Sequence, residues 1–486
     1  MQCVRRRGGR YRTLTISNLG DLLCSTDSES KKIIFFDGVQ HHSLSHAQLD
    51  LLANHVAAGL QNQNINVGDR VAIVASNSSE FIACYLGILK LGAVAVLIDP
   101  KSPPTLLKQL LDRSAAKLIF SDRDINTEIS VVNLHKDLQD FLIPQSVESF
   151  CPSPTDLALF LYTSGSTGFP KGVAITHQSH LARVQYRLPH VQTCMVTTPY
   201  CHMNGLFQMQ RALAAGCDLV VMSEFQAKNC LQLIDQFDIN LITGVPSIMA
   251  LLIKQLNVTA NYDVSSVTQI ISSSAPISRN LYDTIKKTFA NAEILIGYGS
   301  TEAGPGIFVK HPTLPTPEMS VGYPNPNIEY RLVDQVLHVR SPYMMTKRNN
   351  HDRAFTPDGY FVTNDLFRID SQGFYYFLGR ADDMFVCGGQ NIYPRHLESI
   401  LETHEGVIQS AVIGIPDSVK GVKPYAFVTV KNNCQLDSGQ LEIYMQSKLP
   451  ANQCPRKIWI VDVLPMTGIN KINKNDLEQQ AHKLLD

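Results

Sequence analysis

The chain has 486 residues, 44% of them hydrophobic and 17% charged, with a formal net charge of −1. That length exceeds what one compact core holds, so two or more domains are expected, in an ordinary globular composition. Near-neutral charge excludes nucleic-acid binding by bulk electrostatics, and no run approaches the roughly 18 apolar residues of a membrane span.

Met1 to Thr15 carries Arg5, Arg6, Arg7, Arg10 and Arg12 with no acidic residue, and lacks the apolar segment of a secretory signal. Residues 1–16 are read as a disordered basic tail, with an arginine-rich transit peptide left open. From Ser43 helical and strand patterns alternate. A helix is expected over Ala47 to Leu60, then an apolar run over Arg70 to Ala75 and a buried helix over Glu80 to Leu91 stopped at Gly92-Ala93. A strand over Val94 to Ile98, a helix over Leu106 to Leu111 and a strand over Lys117 to Phe120 follow. The rhythm resumes later, with strands over Leu219 to Met222, Ile239 to Thr243 and Ser266 to Ser272, and a helix over Cys230 to Phe237. Such alternation implies parallel sheets built from βαβ units.

Ile307 to Pro357 is irregular and proline-rich, and short strands over Glu329 to Val333 and Val336 to Arg340 predict a small β-rich subdomain. After Gly379 the pattern changes to strands over Val407 to Ile415, Tyr425 to Val430 and Lys457 to Val461 around a helix over Leu441 to Leu449. The predicted fold class is α/β. A large N-terminal domain of layered βαβ sheets with the β-rich subdomain, residues 17–380, precedes a small mobile α+β lid, residues 381–486.

The chemistry centres on Leu161-Tyr-Thr-Ser-Gly-Ser-Thr-Gly-Phe-Pro-Lys-Gly172, after a buried strand over Leu157 to Leu161. Its glycines let successive N–H groups approach an anion, its hydroxyls can donate to phosphate oxygens, and Lys171 can neutralise their charge. A Gly/Ser surface turn would read alike in isolation, whereas the P-loop of NTPases is excluded because Pro170 precedes Lys171 and Gly172 follows it. Gly297-Tyr-Gly-Ser-Thr-Glu-Ala303 follows an apolar strand over Ile294 to Ile296, as suits a nucleotide site at the carboxyl edge of a sheet. Further blocks are Pro199-Tyr-Cys-His-Met-Asn-Gly-Leu206, Ser272-Ser-Ser-Ala-Pro276, Gly359-Tyr-Phe-Val-Thr-Asn-Asp365 and Gly379-Arg-Ala-Asp-Asp-Met384. Asp383-Met-Phe-Val-Cys-Gly-Gly-Gln-Asn-Ile-Tyr-Pro394 and Leu464-Pro-Met-Thr-Gly-Ile-Asn-Lys-Ile472 complete the set. Eleven cysteines lie scattered without CxxC pairs or paired Cys/His spacing, which argues for reduced thiols in a cytoplasm rather than disulfides or a zinc site.

Taken in chain order and spanning residues 35 to 480, the blocks resemble those of the adenylate-forming superfamily of acyl-CoA synthetases, peptide-synthetase adenylation domains and luciferases. The segment beginning at Asp383 resembles that of 4-chlorobenzoate CoA ligase. The resemblance implies that Thr163, Ser164, Gly165, Ser166, Thr167, Gly168 and Lys171 hold ATP phosphates, and that Ser274, Ala275 and Pro276 form an adenine wall. It implies that Tyr298, Gly299 and Thr301 belong to the nucleotide site, with Glu302 on Mg²⁺, and that Asp365 and Arg380 take the ribose hydroxyls. Asp382 is the expected hinge, Gly388 and Gly389 the coenzyme A tunnel, and Lys471 the catalytic lysine between carboxylate and α-phosphate. Thr163, Lys171 and Glu302 are expected to join Lys471 in catalysis.

His202, Asn204, Gly205, Val245 and Gly297 are the expected acyl pocket. A neutral or weakly basic His202, where amino-acid-activating members carry aspartate, disfavours an amino-acid substrate. Serines in the adenine wall, Asn364 for a usual glycine, His396 for an acidic residue and Asn470 for a glycine depart from the family pattern. The implied reaction is ATP-dependent activation of a small carboxylic acid as acyl-AMP, with release of pyrophosphate and thioester formation on coenzyme A. A carrier-protein phosphopantetheine thiol is the alternative acceptor, and a nucleotide-binding pseudoenzyme or scaffold the alternative of another class.

Overall fold

Strands as continuously apolar as Arg70–Val74 and Val94–Leu97 must hide both faces from water, and parallel sheets covered by helices do so. The computed structural model describes residues 16–23, 29–163, 170–184, 188, 191–258, 262–342, 344–348, 355–387, 390–417, 421–431, 434–451, 453–466 and 472–485. The arginines of the basic tail lie outside these residues.

One seven-stranded sheet has the order Glu293–Gly297, Gln269–Ser273, Leu241–Gly244, Thr193–Val196, Asp218–Met222, Lys32–Phe36 and His41–Ser45. It is parallel except for the last pair. The second has the order Lys347–Arg348, Lys171–Thr176, Leu157–Thr163, Val94–Leu97, Arg70–Val74, Ala116–Ser121 and Ser130–Asn133. Its five strands from Leu157–Thr163 onward are parallel, and the other two join antiparallel. One hydrophobic cluster runs between the sheets through helices His46–Asn62, Ser79–Leu91 and Met203–Ala215. The central helix Ser79–Leu91 is buried at every position but Glu80, and even its Lys90 is inside, paired with Asp21 at 3.2 Å and Asp50 at 3.1 Å.

The local sequence explains the helix ends. Ser45 and Gln48 form a reciprocal capping box at the start of His46–Asn62, Ser78 caps Ser79–Leu91, and Gly92 ends that helix in the left-handed region at φ +80°. The strand expected from Ser266 begins instead at Gln269. The Val267 N–H closes a turn on the Val264 carbonyl at 3.2 Å, and the Asn240 carbonyl takes the N–H groups of Thr268 and Gln269.

The β-rich subdomain is a four-stranded antiparallel sheet of Glu329–Val333, Val336–Arg340, Phe361–Ile369 and Tyr375–Arg380. Beyond it, Phe385–Cys387, Gln390–Ile392, Val407–Asp417, Gly421–Val430 and Ile458–Ile460 form a five-stranded sheet. Helices Pro394–Leu401, Ser438–Lys448 and Lys474–Leu485 accompany that sheet, and the unit has core clusters of its own, which is the expected α+β unit. No helix among the described residues is long and apolar enough to cross a membrane.

Burial holds three histidines of the N-terminal domain neutral, lowering His46 and His177 to about 4 and His180 to about 3. In the unfolded chain these rings take up a proton near pH 6.5. Between those values the unfolded state binds more protons, so stability falls as pH drops from 6.5 towards 4. Thermal unfolding midpoints measured across that window are expected to decline steadily, and a flat profile would contradict the neutral buried imidazoles.

Candidate active site

The strand Leu157–Thr163 is buried along its middle, and its carboxyl end is where the chain leaves the sheet. It returns at Lys171, which sits opposite Thr163 in antiparallel register. The loop residues Ser164, Gly165, Ser166, Thr167 and Gly168 lie outside the described residues. At the mouth of the loop, Thr163 Oγ1 donates to Glu302 Oε1 at 3.3 Å and approaches the Lys171 carbonyl at 3.4 Å. The structure therefore brings Glu302 to Thr163 and Lys171 across 139 residues of sequence.

Glu302 follows a narrow turn beyond the edge strand of the other sheet. A Cβ on Gly299 would lie 2.6 Å from Pro305 Cα, so only glycine fits there, and Gly304 turns at φ +96° against the buried Arg183 guanidinium. The Ser300 hydroxyl accepts the Ala303 N–H at 2.9 Å, and half-buried Thr301 lies inside this turn. The Glu302 carbonyl accepts the Met345 N–H at 2.9 Å, and the neighbouring Lys347–Arg348 pairs with Lys171–Thr176. This tie joins two long-separated segments and so leaves no local signal in the irregular, proline-rich stretch from Ile307 to Pro357.

On the opposite side, the Tyr298 hydroxyl donates to Asp365 Oδ2 at 2.5 Å, its ring edge-on to Phe367. Burial and the Asp365 charge push the phenol well above its usual range, so it stays a donor. Asp365 faces Arg380 across the hairpin, with Oδ1 and Nε 3.9 Å apart. Arg380 also grips Asp382 with two contacts of 2.8 Å. Asn364 adopts φ +60° and Ser274 φ +68°, so both stand in the left-handed region where glycine is the usual choice. Ser274, Ala275 and the exposed Pro276 follow the strand Gln269–Ser273 at its carboxyl end.

The acyl-pocket candidates divide. Asn204 Oδ1 accepts the Ser273 hydroxyl at 3.1 Å, and Ser273 pairs in register with Gly297, where a Cβ would come within 3.0 Å of the Ser273 Cβ. Asn204 and Gly297 thus meet around Ser273. Gly205 does something else: a Cβ there would lie 2.2 Å from the Pro199 carbonyl oxygen, so its small size lets the helix Met203–Ala215 start against that turn. Val245, 1% exposed, packs in the second core cluster with Ile248 and Met249.

His202 turns its Nε2 to Asp99 Oδ2 at 3.4 Å. Burial opposes its charge, but the neighbouring Cys201 sulfur and the Asp99 carboxylate push the imidazole up to about 10. This corrects the expectation of a neutral or weakly basic His202, which took no account of a carboxylate 103 residues away. Asp99 escaped the sequence reading, although a carboxylate after the apolar strand Val94–Leu97 is a signal that could have found it.

Lys471, Gly388 and Gly389 lie outside the described residues. Met466 and Ile472 pair on either side of Lys471, and the Asn473 N–H bonds the Pro465 carbonyl at 2.8 Å. Nearby Lys474 is held at 2.8 Å by the buried Glu398. The α+β unit meets the rest through Asn280, whose amide donates to the carbonyls of His404 at 2.8 Å and Val407 at 2.9 Å, and through Ser278, which donates to Ile408 at 3.0 Å.

The left-handed backbone at Asn364 yields a direct check. Asn364→Gly is expected to leave stability within about 0.5 kcal/mol, whereas Asn364→Val should cost about 1–2 kcal/mol in denaturant unfolding because a β-branched residue resists φ > 0. Equal stability of the two variants would overturn that conformation.

The profile of the family described as AMP-binding enzyme matches residues 25–345, and that of the AMP-binding enzyme C-terminal domain matches residues 396–471. Among curated proteins the chain is 26% identical to a putative acyl-CoA synthetase, YngI, of Bacillus subtilis, covering 91% of this chain and 93% of that one. It is 25% identical to 4-coumarate–CoA ligase 2 of Nicotiana tabacum, over 92% and 91% of the two chains. Among solved structures, ATP-bound MatB from Rhodopseudomonas palustris superposes with a TM-score of 0.85 at 24% identity, covering 97% of this chain and 100% of that one. The anthranilate CoA ligase AuaEII with anthranoyl-AMP gives 0.84 at 24% identity, covering 96% and 97%. At that identity the superpositions establish the fold.

Proposed function

The chain belongs to the AMP-binding enzyme family, and on that premise we propose that it is an AMP-forming ligase joining a carboxylic acid to the thiol of coenzyme A. The contact of Thr163 with Glu302 carries the reading, because it sets a carboxylate beside the mouth of a loop rich in N–H groups, hydroxyls and Lys171. A carboxylate next to a polyphosphate cradle suits Mg²⁺, which prefers oxygen ligands and binds through one or two carboxylates plus substrate phosphates. On the far side, a carboxylate has about four lone-pair positions, so Asp365 can accept ribose hydroxyls in addition to the Tyr298 hydroxyl. The residues present therefore fit Mg·ATP.

In this reading the acid's carboxylate attacks the α-phosphorus and pyrophosphate leaves. The resulting acyl-AMP is then opened by the thiol, with AMP as leaving group. Thr163 and Lys171 orient the phosphates, Glu302 holds the metal that screens their charge, and Asp365 with Arg380 fixes the ribose. Lys471 supplies positive charge where negative charge grows at the α-phosphate. Asp382 is the proposed pivot of the C-terminal unit, with Gly388 and Gly389 lining the passage for the pantetheine arm. The curated relatives are named as acyl-CoA and coumarate–CoA ligases, which supports an acid with an apolar body. The imidazolium of His202 further disfavours a substrate ammonium. The nine described cysteines are free thiols, in keeping with a reducing, cytoplasmic setting.

Pyrophosphate release from Mg·ATP, measured over a panel of carboxylic acids with and without coenzyme A, tests the assignment. Acid-dependent release that rises with coenzyme A is expected. Release indifferent to coenzyme A would point to a carrier-protein thiol, and silence across the panel together with absent nucleotide binding would sink the ligase reading.

Lys471→Ala should lower acid-dependent pyrophosphate release on the order of a hundredfold or more, while sparing thioester formation from supplied acyl-AMP. Equal loss of both half-reactions in a folded variant would remove Lys471 from the adenylation step.

A further inference from the structure

We propose that Asp99, Cys201 and His202 form a binding site for a borderline-soft divalent cation of the zinc class. The carboxylate, thiol and imidazole donor atoms of these residues all lie within 4.8 Å of one another. Oxygen and nitrogen ligands held about 2.0–2.2 Å from a zinc ion at the tetrahedral angle stand about 3.4 Å apart. Asp99 Oδ2 and His202 Nε2 are 3.4 Å apart. One oxygen, one nitrogen and one sulfur donor suit zinc, whereas Mg²⁺ prefers oxygens alone.

The site is also held in place by its surroundings. The other oxygen of Asp99 accepts the Lys101 N–H at 2.8 Å, which fixes the carboxylate plane. The turn that carries Cys201 and His202 is pinned by Asn77, whose Oδ1 accepts the Tyr200 N–H at 2.8 Å and whose amide donates to the Thr198 carbonyl at 3.2 Å. The His202 N–H closes the turn on Pro199 at 3.3 Å. Cys201 is 4% exposed, so its sulfur is shielded from solvent. Asp99, Asn77 and Pro199 also line a cavity of about 120 Å³, so the carboxylate corner of the cluster borders open space.

Three protein ligands and one water is the open form of a zinc site, and the ion takes the place of the proton shared by the imidazole and its carboxylate partner. Because His202 is also a proposed acyl-pocket residue, an occupied site ties up its imidazole and acts as a brake on acid binding. That consequence rests on the ligase reading, but the cation site itself does not.

Co²⁺ titration of the full-length protein, kept reduced, provides the test, because a thiolate ligand gives cobalt a near-ultraviolet charge-transfer band. One equivalent of Co²⁺ is expected to develop that band, excess Mg²⁺ should leave it, and one equivalent of Zn²⁺ should displace it. Cys201→Ser should abolish the band, Asp99→Asn should weaken Co²⁺ binding by at least about tenfold, and Cys217→Ser should change nothing. No charge-transfer band in the wild-type protein, or an undiminished band in Cys201→Ser, overturns the proposal. Should Cys201→Ser fail to fold, Asp99→Asn decides alone, and wild-type cobalt affinity in that variant is equally fatal.

Discussion

The constraint on which the site depends is the antiparallel return of the chain beside Leu157–Thr163. A strand buried between Val94–Leu97 and Lys171–Thr176 can end in one place only, and register then sets Lys171 opposite Thr163. From that fixed edge the Thr163 hydroxyl reaches Glu302, which descends from the other sheet. The two sheets are locked together by a shared apolar core, so this contact is positioned by the burial of large side chains far from it. Preorganisation of this kind matters for phosphoryl transfer, where positioning and charge stabilisation supply most of the catalysis.

The layered architecture was legible because its signals are local. Alternating apolar runs with Ser45, Ser78 and Gly92 at their ends specify helices and strands with little help from tertiary contacts. The order of the motifs was legible too, since each depends on residues close in sequence. What could not be read were pairings across long separations. Asp99 and His202 meet only because strand Val94–Leu97 and the turn before Met203–Ala215 end at neighbouring places. The same blindness makes spacing a poor guide to the proposed metal ligands: Cys201 and His202 are adjacent, but their carboxylate companion follows the distant strand Val94–Leu97. The roles of Gly205 and Val245 were likewise hidden, because a glycine lining a pocket and one admitting a carbonyl look identical in sequence.

Two of the departures from the family pattern become intelligible once backbone angles are known. Asn364 replaces glycine at φ +60°, and asparagine is among the few residues that enter the left-handed region at modest cost. Ser274 does the same at φ +68° in the adenine wall, with less intrinsic tolerance, so surrounding structure must hold it. Neither change removes a group that the chemistry needs. These two substitutions are therefore compatible with the proposed ligase, in which Lys171, Glu302, Asp365 and Arg380 carry the charge.

Arg380 connects the nucleotide side to the proposed pivot. Its guanidinium makes two contacts of 2.8 Å with Asp382 while its Nε stands 3.9 Å from Asp365, so one cation serves two carboxylates. The Asp382 pair is exposed and therefore weak, whereas Asp365 is more enclosed and also bound to Tyr298. The hydrogen bonds from Ser278 and Asn280 to the C-terminal unit end on backbone carbonyls, which water can replace when the surfaces part. Exposed ion pairs and water-replaceable hydrogen bonds cost little to break and remake. Such labile contacts suit the pivot proposed at Asp382, because they can be broken and remade as the C-terminal unit turns.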